Sequence, residues 1–180
     1  MALGKLIQVD TYTVSTAVGS IILGGGSSGS SGLNVSIDTD DVYIAVWYNV
    51  HSSADAELWF RVTKSGTGDT SANYDYADKL FKNTGFSRRG VAGDTKTILE
   101  NISLQSNQEQ GNGISYLYNF NDANELSYYT YEQSNRNTSG QLSAYVGGCV
   151  HTVRSASDGV LFTLNAGNIT DGTFTLYKQV

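Results

Sequence analysis

The amino-acid sequence predicts an all-β protein, a jelly-roll-like antiparallel β-sandwich of about eight to ten strands. Three observations carry that expectation. Apolar residues recur at every second position in most runs, turn residues punctuate the chain at short intervals, and no stretch has convincing helical spacing. The composition agrees, being rich in Gly, Ser, Thr, Asn and Tyr with only 16% charged residues. At 180 residues one domain spanning 1–180 is expected, with a short N-terminal arm over about residues 1–12 and a flexible Gly/Ser loop at 24–32.

Taken in order, residues 5–15 alternate loosely through Leu6, Val9, Tyr12 and Val14 and suggest a first strand, and Val18–Leu23 a second. The glycine- and serine-rich loop follows, then a short strand at Leu33–Ile37. The strongest strand is 42–50. Val42, Ile44, Val46, Tyr48 and Val50 share one face, and Tyr43, Ala45 and Trp47 share the other. Two apolar faces mean a strand covered on both sides, or one whose second face meets another subunit. After a turn at 52–55, Leu58, Phe60 and Val62 mark a return strand, so 42–63 is expected to be a hairpin.

Residues 72–82 are expected to be extended or a single turn, and 83–94 a loop. Alternation then predicts strands near 97–104, 114–120, 126–132 and 142–154, with Gly147-Gly148 marking a bulge or kink. The chain closes on two strands joined by a polar loop. Val160, Phe162 and Leu164 point one way in the first, and Phe174 and Leu176 do so in the second. Docking of that segment completes the fold.

A net charge of −6 argues against nucleic acid as a partner, because phosphate neutralisation needs a basic stripe. The adjacent Arg88-Arg89 is expected in a solvated loop. A single cysteine, Cys149, excludes an internal disulfide framework. No apolar run has the length of a signal peptide or a membrane span, so neither a secretion signal nor a membrane partner is expected.

Motifs for chemistry are weak. Residues 24–29 formally satisfy G-x-G-x-x-G and G-x-S-x-G, but the strand–turn–helix context that gives those patterns meaning is missing. Cys149 and His151 share strand parity, which a metal site or a nucleophile–base pair would use; a buried thiol beside a hydrogen-bonded imidazole is the simpler reading. Asp38-Thr-Asp-Asp41 and Asn119-Phe-Asn-Asp122 offer oxygen ligands for Ca²⁺, although Asx-turn chemistry accounts for both, so no cofactor is expected.

Aromatic residues are more informative, with twelve tyrosines in the chain. Tyrosine has a broad apolar face and a polar tip, which suits core rims, subunit contacts and sugar stacking. Tyr48, Trp59, Tyr116, Tyr118, Tyr129, Tyr131 and Tyr145 are the interface candidates.

Four segments carry a family resemblance: Tyr43-Ile-Ala-Val, Leu58-Trp-Phe-Arg-Val62, Val160-Leu-Phe and, above all, Gly167-Asn-Ile-Thr-Asp-Gly-Thr-Phe-Thr-Leu-Tyr177. In their order they resemble the β-sandwich modules of tailed-bacteriophage virion proteins, found in tail-fibre, tail-tip and capsid-surface gene products. That family pattern usually continues Leu-Tyr-Gly, whereas Lys178-Gln-Val180 follows Tyr177 here. The resemblance implies a non-enzymatic structural protein on the virion surface, made in the host cytoplasm. It implies a homo-oligomer, a trimer by family habit, that contacts other capsid or tail proteins. An adhesin module that binds a receptor or host-surface glycan is the alternative.

Overall fold

A computed structural model describes residues 4–39, 42–102, 110–136 and 140–180, the side chains of 100–102 excepted. Thirteen strands form there: β1 (Leu6–Thr13), β2 (Ser20–Gly24), β3 (Tyr43–Ser52), β4 (Ala56–Lys64), β5 (Thr67–Gly68), β6 (Tyr74–Lys82) and β7 (Gly85–Asp94) come first. Next come β8 (Thr97–Ile102), β9 (Gly111–Tyr118), β10 (Ser127–Arg136), β11 (Leu142–His151), β12 (Gly159–Leu164) and β13 (Ile169–Gln179). No helix occurs among the described residues, hence none long and apolar enough to cross a membrane.

The strands build an antiparallel sandwich, as predicted. The large sheet runs β1-β13-β3-β9-β10-β11-β6-β7; the small one runs β2-β12-β4-β5, with β8 also paired to β4. The chain changes sheet at most of its connections, in jelly-roll fashion. Its two last strands each take an interior place, β12 between β2 and β4 and β13 between β1 and β3. Parity in both was legible: Val160, Phe162, Phe174 and Leu176 are fully buried. Phe162 is the hub of the core. Its ring lies 5.5 Å from Trp47, 5.2 Å from Phe60 and 5.0 Å from Phe174, so it joins strands of both sheets.

Several expectations need correcting. The expected hairpin over 42–63 is an arch, since β3 lies in the large sheet and β4 in the small one. Alternation reports which side of a strand is apolar, not which sheet it joins. Within β3 the inward set is Tyr43, Ala45 and Trp47, and the register then shifts between Trp47 and Val50. Asn49 takes φ 54° there, and beyond it Val50 turns inward, against the parity set by Ile44 and Val46.

Residues 85–94, expected as a loop, form the edge strand β7, hydrogen-bonded to β6. Its charges and glycines mask the strand pattern, a composition that also protects a sheet edge. Consequently Arg88-Arg89 is not a solvated pair. Arg88 is exposed, whereas Arg89 reaches Asp78, whose side chain is completely buried. Gly147-Gly148 makes no bulge, since β11 keeps an unbroken register with both neighbours. Gly147 is required for space: a Cβ there would stand 2.5 Å from the Asp78 Cβ and 2.7 Å from the Ala77 carbonyl oxygen.

The Gly/Ser stretch folds back on the sandwich. Gly24, Gly25 and Gly26 all have positive φ, and the Gly25 and Gly26 amides donate to the carbonyls of Asp158 and Val35. Leu33–Ile37, expected as a strand, makes only an isolated bridge from Val35 to Gly26.

Candidate functional site: the open face of the large sheet

Alternation along β10 sets the site. Ser127, Tyr129, Tyr131, Gln133 and Asn135 turn inward and are buried; Tyr128, Thr130, Glu132, Ser134 and Arg136 turn outward and are exposed. The registers with β9, β11, β6 and β7 carry this division across five strands. The outer face therefore presents Tyr116, Tyr118, Tyr128, Leu142, Val146, Phe81 and Phe86, from 36% exposed at Tyr118 to 73% at Phe86. Tyr48 of β3, 46% exposed, extends it.

A trough crosses this face. Thr130, Gly148, Ala77 and Gly90 are paired in one row from β10 to β7, and Tyr116 starts the row on β9. Side chains this small leave an open groove of about 620 Å³, walled on one side by Tyr128, Val150 and Asp75. Nothing lies within 4 Å of where a Gly90 Cβ would be. A Lys79–Glu132 row borders it on the other side, with the Lys79 Nζ 4.4 Å from the Phe86 ring centroid.

Of the seven interface candidates, three share this face: Tyr48, Tyr116 and Tyr118. Trp59 lies on the outside of the small sheet. It is half-buried between the Arg61 guanidinium and the Lys96 ammonium, and its Nε1 donates to Glu57 at 2.8 Å. Tyr129 and Tyr131 are corrected: both are 1% exposed and belong to the core. Tyr129 packs 4.7 Å from Phe60, and the Tyr131 hydroxyl donates to Asp78 at 2.7 Å. Tyr145 shares their inward parity, half-buried with the Arg89 guanidinium 5.5 Å from its ring. Tyrosines stand at both parities in 128–131, so composition could not separate the faces. Tyr128, Val146, Phe81, Phe86 and Glu132 were missed; the outward parity of β10 was the available signal.

The polar clusters belong to the interior. Cys149 is buried and accepts a hydrogen bond from the Thr97 hydroxyl at 3.1 Å. Burial pushes its thiol up to about 11, against the weaker opposing effect of the Thr97 and Tyr129 hydroxyls. A thiol so placed is a poor nucleophile. His151 is held by Asp69 at Nε2 (3.0 Å) and by the Val153 carbonyl at Nδ1 (3.1 Å), which leaves no ring nitrogen for Cys149. Burial raises the Asp69 carboxyl, but the Lys64 ammonium at 2.6 Å and the Ser71 amide outweigh it and hold the pKa far below the usual range.

The two loops considered for calcium spend oxygens within the chain. Asp38 accepts from Lys178 at 2.9 Å, and Asp122 accepts the Asn124 amide at 2.8 Å in an Asx turn. Asp40 and Asp41 lie outside the described residues. Among the described residues no group of three His, Cys, Asp or Glu side chains is placed to hold a metal ion.

Comparison of the chain with protein-family models, curated proteins and solved structures finds no match. What the fold and its open face define is an antiparallel sandwich with one broad aromatic surface.

Proposed function

We propose that this chain is a non-enzymatic structural protein of a bacteriophage particle surface, a capsid decoration or a tail component. It works through contacts with its own copies and with other virion proteins. The observation that carries the reading is the open face itself. Exposed Tyr, Phe, Leu and Val side chains collected on one side of a rigid sheet mark a contact surface more often than a solvated one. The resemblance of 167–177 to virion modules supplies the setting: synthesis in the host cytoplasm and assembly on the particle. It also favours a trimer, whereas the side chains of the open face favour a pair, as argued below.

A second reading is favoured by the trough. Tyr128, 45% exposed beside Asp75 and Thr130, offers a ring and polar groups of the kind that hold a sugar. Under this reading the protein is an adhesin module for a host-surface glycan.

Immunogold labelling of purified particles, with antibody raised against the recombinant protein, tests the first reading. Gold on the particle surface is expected; protein abundant in the lysate and missing from particles contradicts it. A glycan array tests the second, which falls if no sugar binds.

A further inference from the structure

We propose that the open face is a contact between two copies of this chain, stacked face to face about a two-fold axis running along β11. The proposal rests on the self-association reading above and gives it a geometry. The β registers set out four parallel rows across β9, β10, β11, β6 and β7. One row is Ile114, Glu132, Val146, Lys79, Arg88. The next is Tyr116, Thr130, Gly148, Ala77, Gly90. Above it lie Tyr118, Tyr128, Val150 and Asp75 on β9, β10, β11 and β6, with Ala92 of β7 also lining the trough.

A two-fold rotation about a line along β11 keeps each row in place and exchanges its left and right ends. The exchanges in the first three rows join unlike partners, and in the fourth (Asn112, Ser134, Ala144, Phe81, Phe86) they set Phe81 over Ser134 and Phe86 over Asn112. Glu132 of one copy meets Lys79 of the other, with Arg88 one strand further on. Tyr116 stands over the gap at Gly90, Thr130 over Ala77, and Tyr128 opposite Asp75. Val146, 46% exposed, meets its own counterpart on the axis. The face thus carries charges of opposite sign and rings matched to gaps, each related through its central strand, which is what a self-complementary two-fold contact requires.

Strand directions stay aligned under this rotation, the usual arrangement for stacked sheets. Five strands about 4.8 Å apart and about seven residues long cover roughly 550 Å² per copy. The total of about 1,100 Å² clears the roughly 1,000 Å² of a specific contact and places it at the reversible end.

The test is a Val146→Cys variant of the full chain treated with a short bis-maleimide, with Leu33→Cys, 52% exposed in the loop that follows β2 of the small sheet, as control. Buried Cys149 stays silent in both. A covalent dimer is expected from Val146→Cys at least about tenfold faster than from the control. Glu132→Lys is expected to weaken the dimer by about tenfold or more, and adding Lys79→Glu to restore it. A trimer, or a dimer without cross-linking at position 146, overturns the two-fold stacking and leaves self-association standing. A monomer up to about 100 μM removes both. Glycan binding with no change of mass assigns the face to a sugar instead.

Discussion

The Phe162 ring meets Phe60 edge-on, at 5.2 Å between centroids and 87° between planes. Phe60 comes from β4 beside it in the small sheet, while its other neighbours, Trp47 and Phe174, come from the large sheet. One side chain near the end of the chain therefore locks together segments far apart in sequence. Phe162→Ala is expected to cost about 3–5 kcal/mol, read from denaturant midpoints, because a fully buried ring leaves a cavity that four strands cannot all close.

Asp78 and Arg89 give a second prediction. Asp78 has no exposed side-chain surface, and it holds both the Arg89 guanidinium and the Tyr131 hydroxyl. Arg89→Ala strands that carboxylate and should destabilise by about 3–5 kcal/mol. Arg88→Ala, on the exposed side of the same strand, should fall within about 0.5 kcal/mol of the parent. The pair of melting curves checks both.

The two adjacent glycines of β11 should part company in the same assay. Gly147→Ala forces a methyl against the Asp78 Cβ and the Ala77 carbonyl and should cost about 1–3 kcal/mol. At Gly148 the nearest atom to a new Cβ is the Tyr129 carbonyl oxygen, 3.5 Å away, so Gly148→Ala should be neutral or stabilising by up to about 1 kcal/mol.

Acid should weaken the fold through Asp69. Its carboxyl has a lower pKa folded than unfolded, so the native state favours the ionised form. That stability is present above the ordinary carboxylate pKa of about 4 and fades as pH falls through the folded value. Asp69→Asn lacks it throughout, so the gap in melting temperature between parent and variant should be wide at pH 7 and close progressively as pH falls below about 4. A gap that does not change with pH contradicts the assignment.

At the alkaline end the sign reverses. Burial raises Cys149 to about 11 and Tyr76 to about 12, so the folded state favours their protonated forms. Their contribution is complete below the unfolded pKa values of about 8.5 and 10 and is lost as pH rises through the folded ones. Cys149 should also resist a thiol reagent at pH 8 until denaturant opens the core, whereas rapid labelling of the native protein would revive a reactive role for it.

How legible the molecule was depends on what each residue had to reveal. The closing strands were read correctly because Val160, Phe162, Phe174 and Leu176 alternate without interruption in a strand that is buried on one face. Asn49 defeated the same logic in β3, since one residue at positive φ reverses every face after it. β7 escaped notice because its inward Arg89 is satisfied by Asp78, its cross-strand partner on β6, a pairing that only the register of the two strands reveals. The open face was half-read. Tyr116 and Tyr118 were named from composition, but only the register of β10 separates outward Tyr128 from buried Tyr129 and Tyr131.

The central claim is that this chain associates through the open face of its large sheet, and sedimentation equilibrium of the parent against Gly90→Val tests it most directly. Gly90 is exposed, has no neighbour within 4 Å of a new Cβ and sits in the trough, so valine fills the trough without disturbing the fold. The parent is expected to rise from its 19.3 kDa monomer mass toward twice that value with concentration, while Gly90→Val stays monomeric with an unchanged melting temperature. A variant that associates as strongly as the parent would contradict the account.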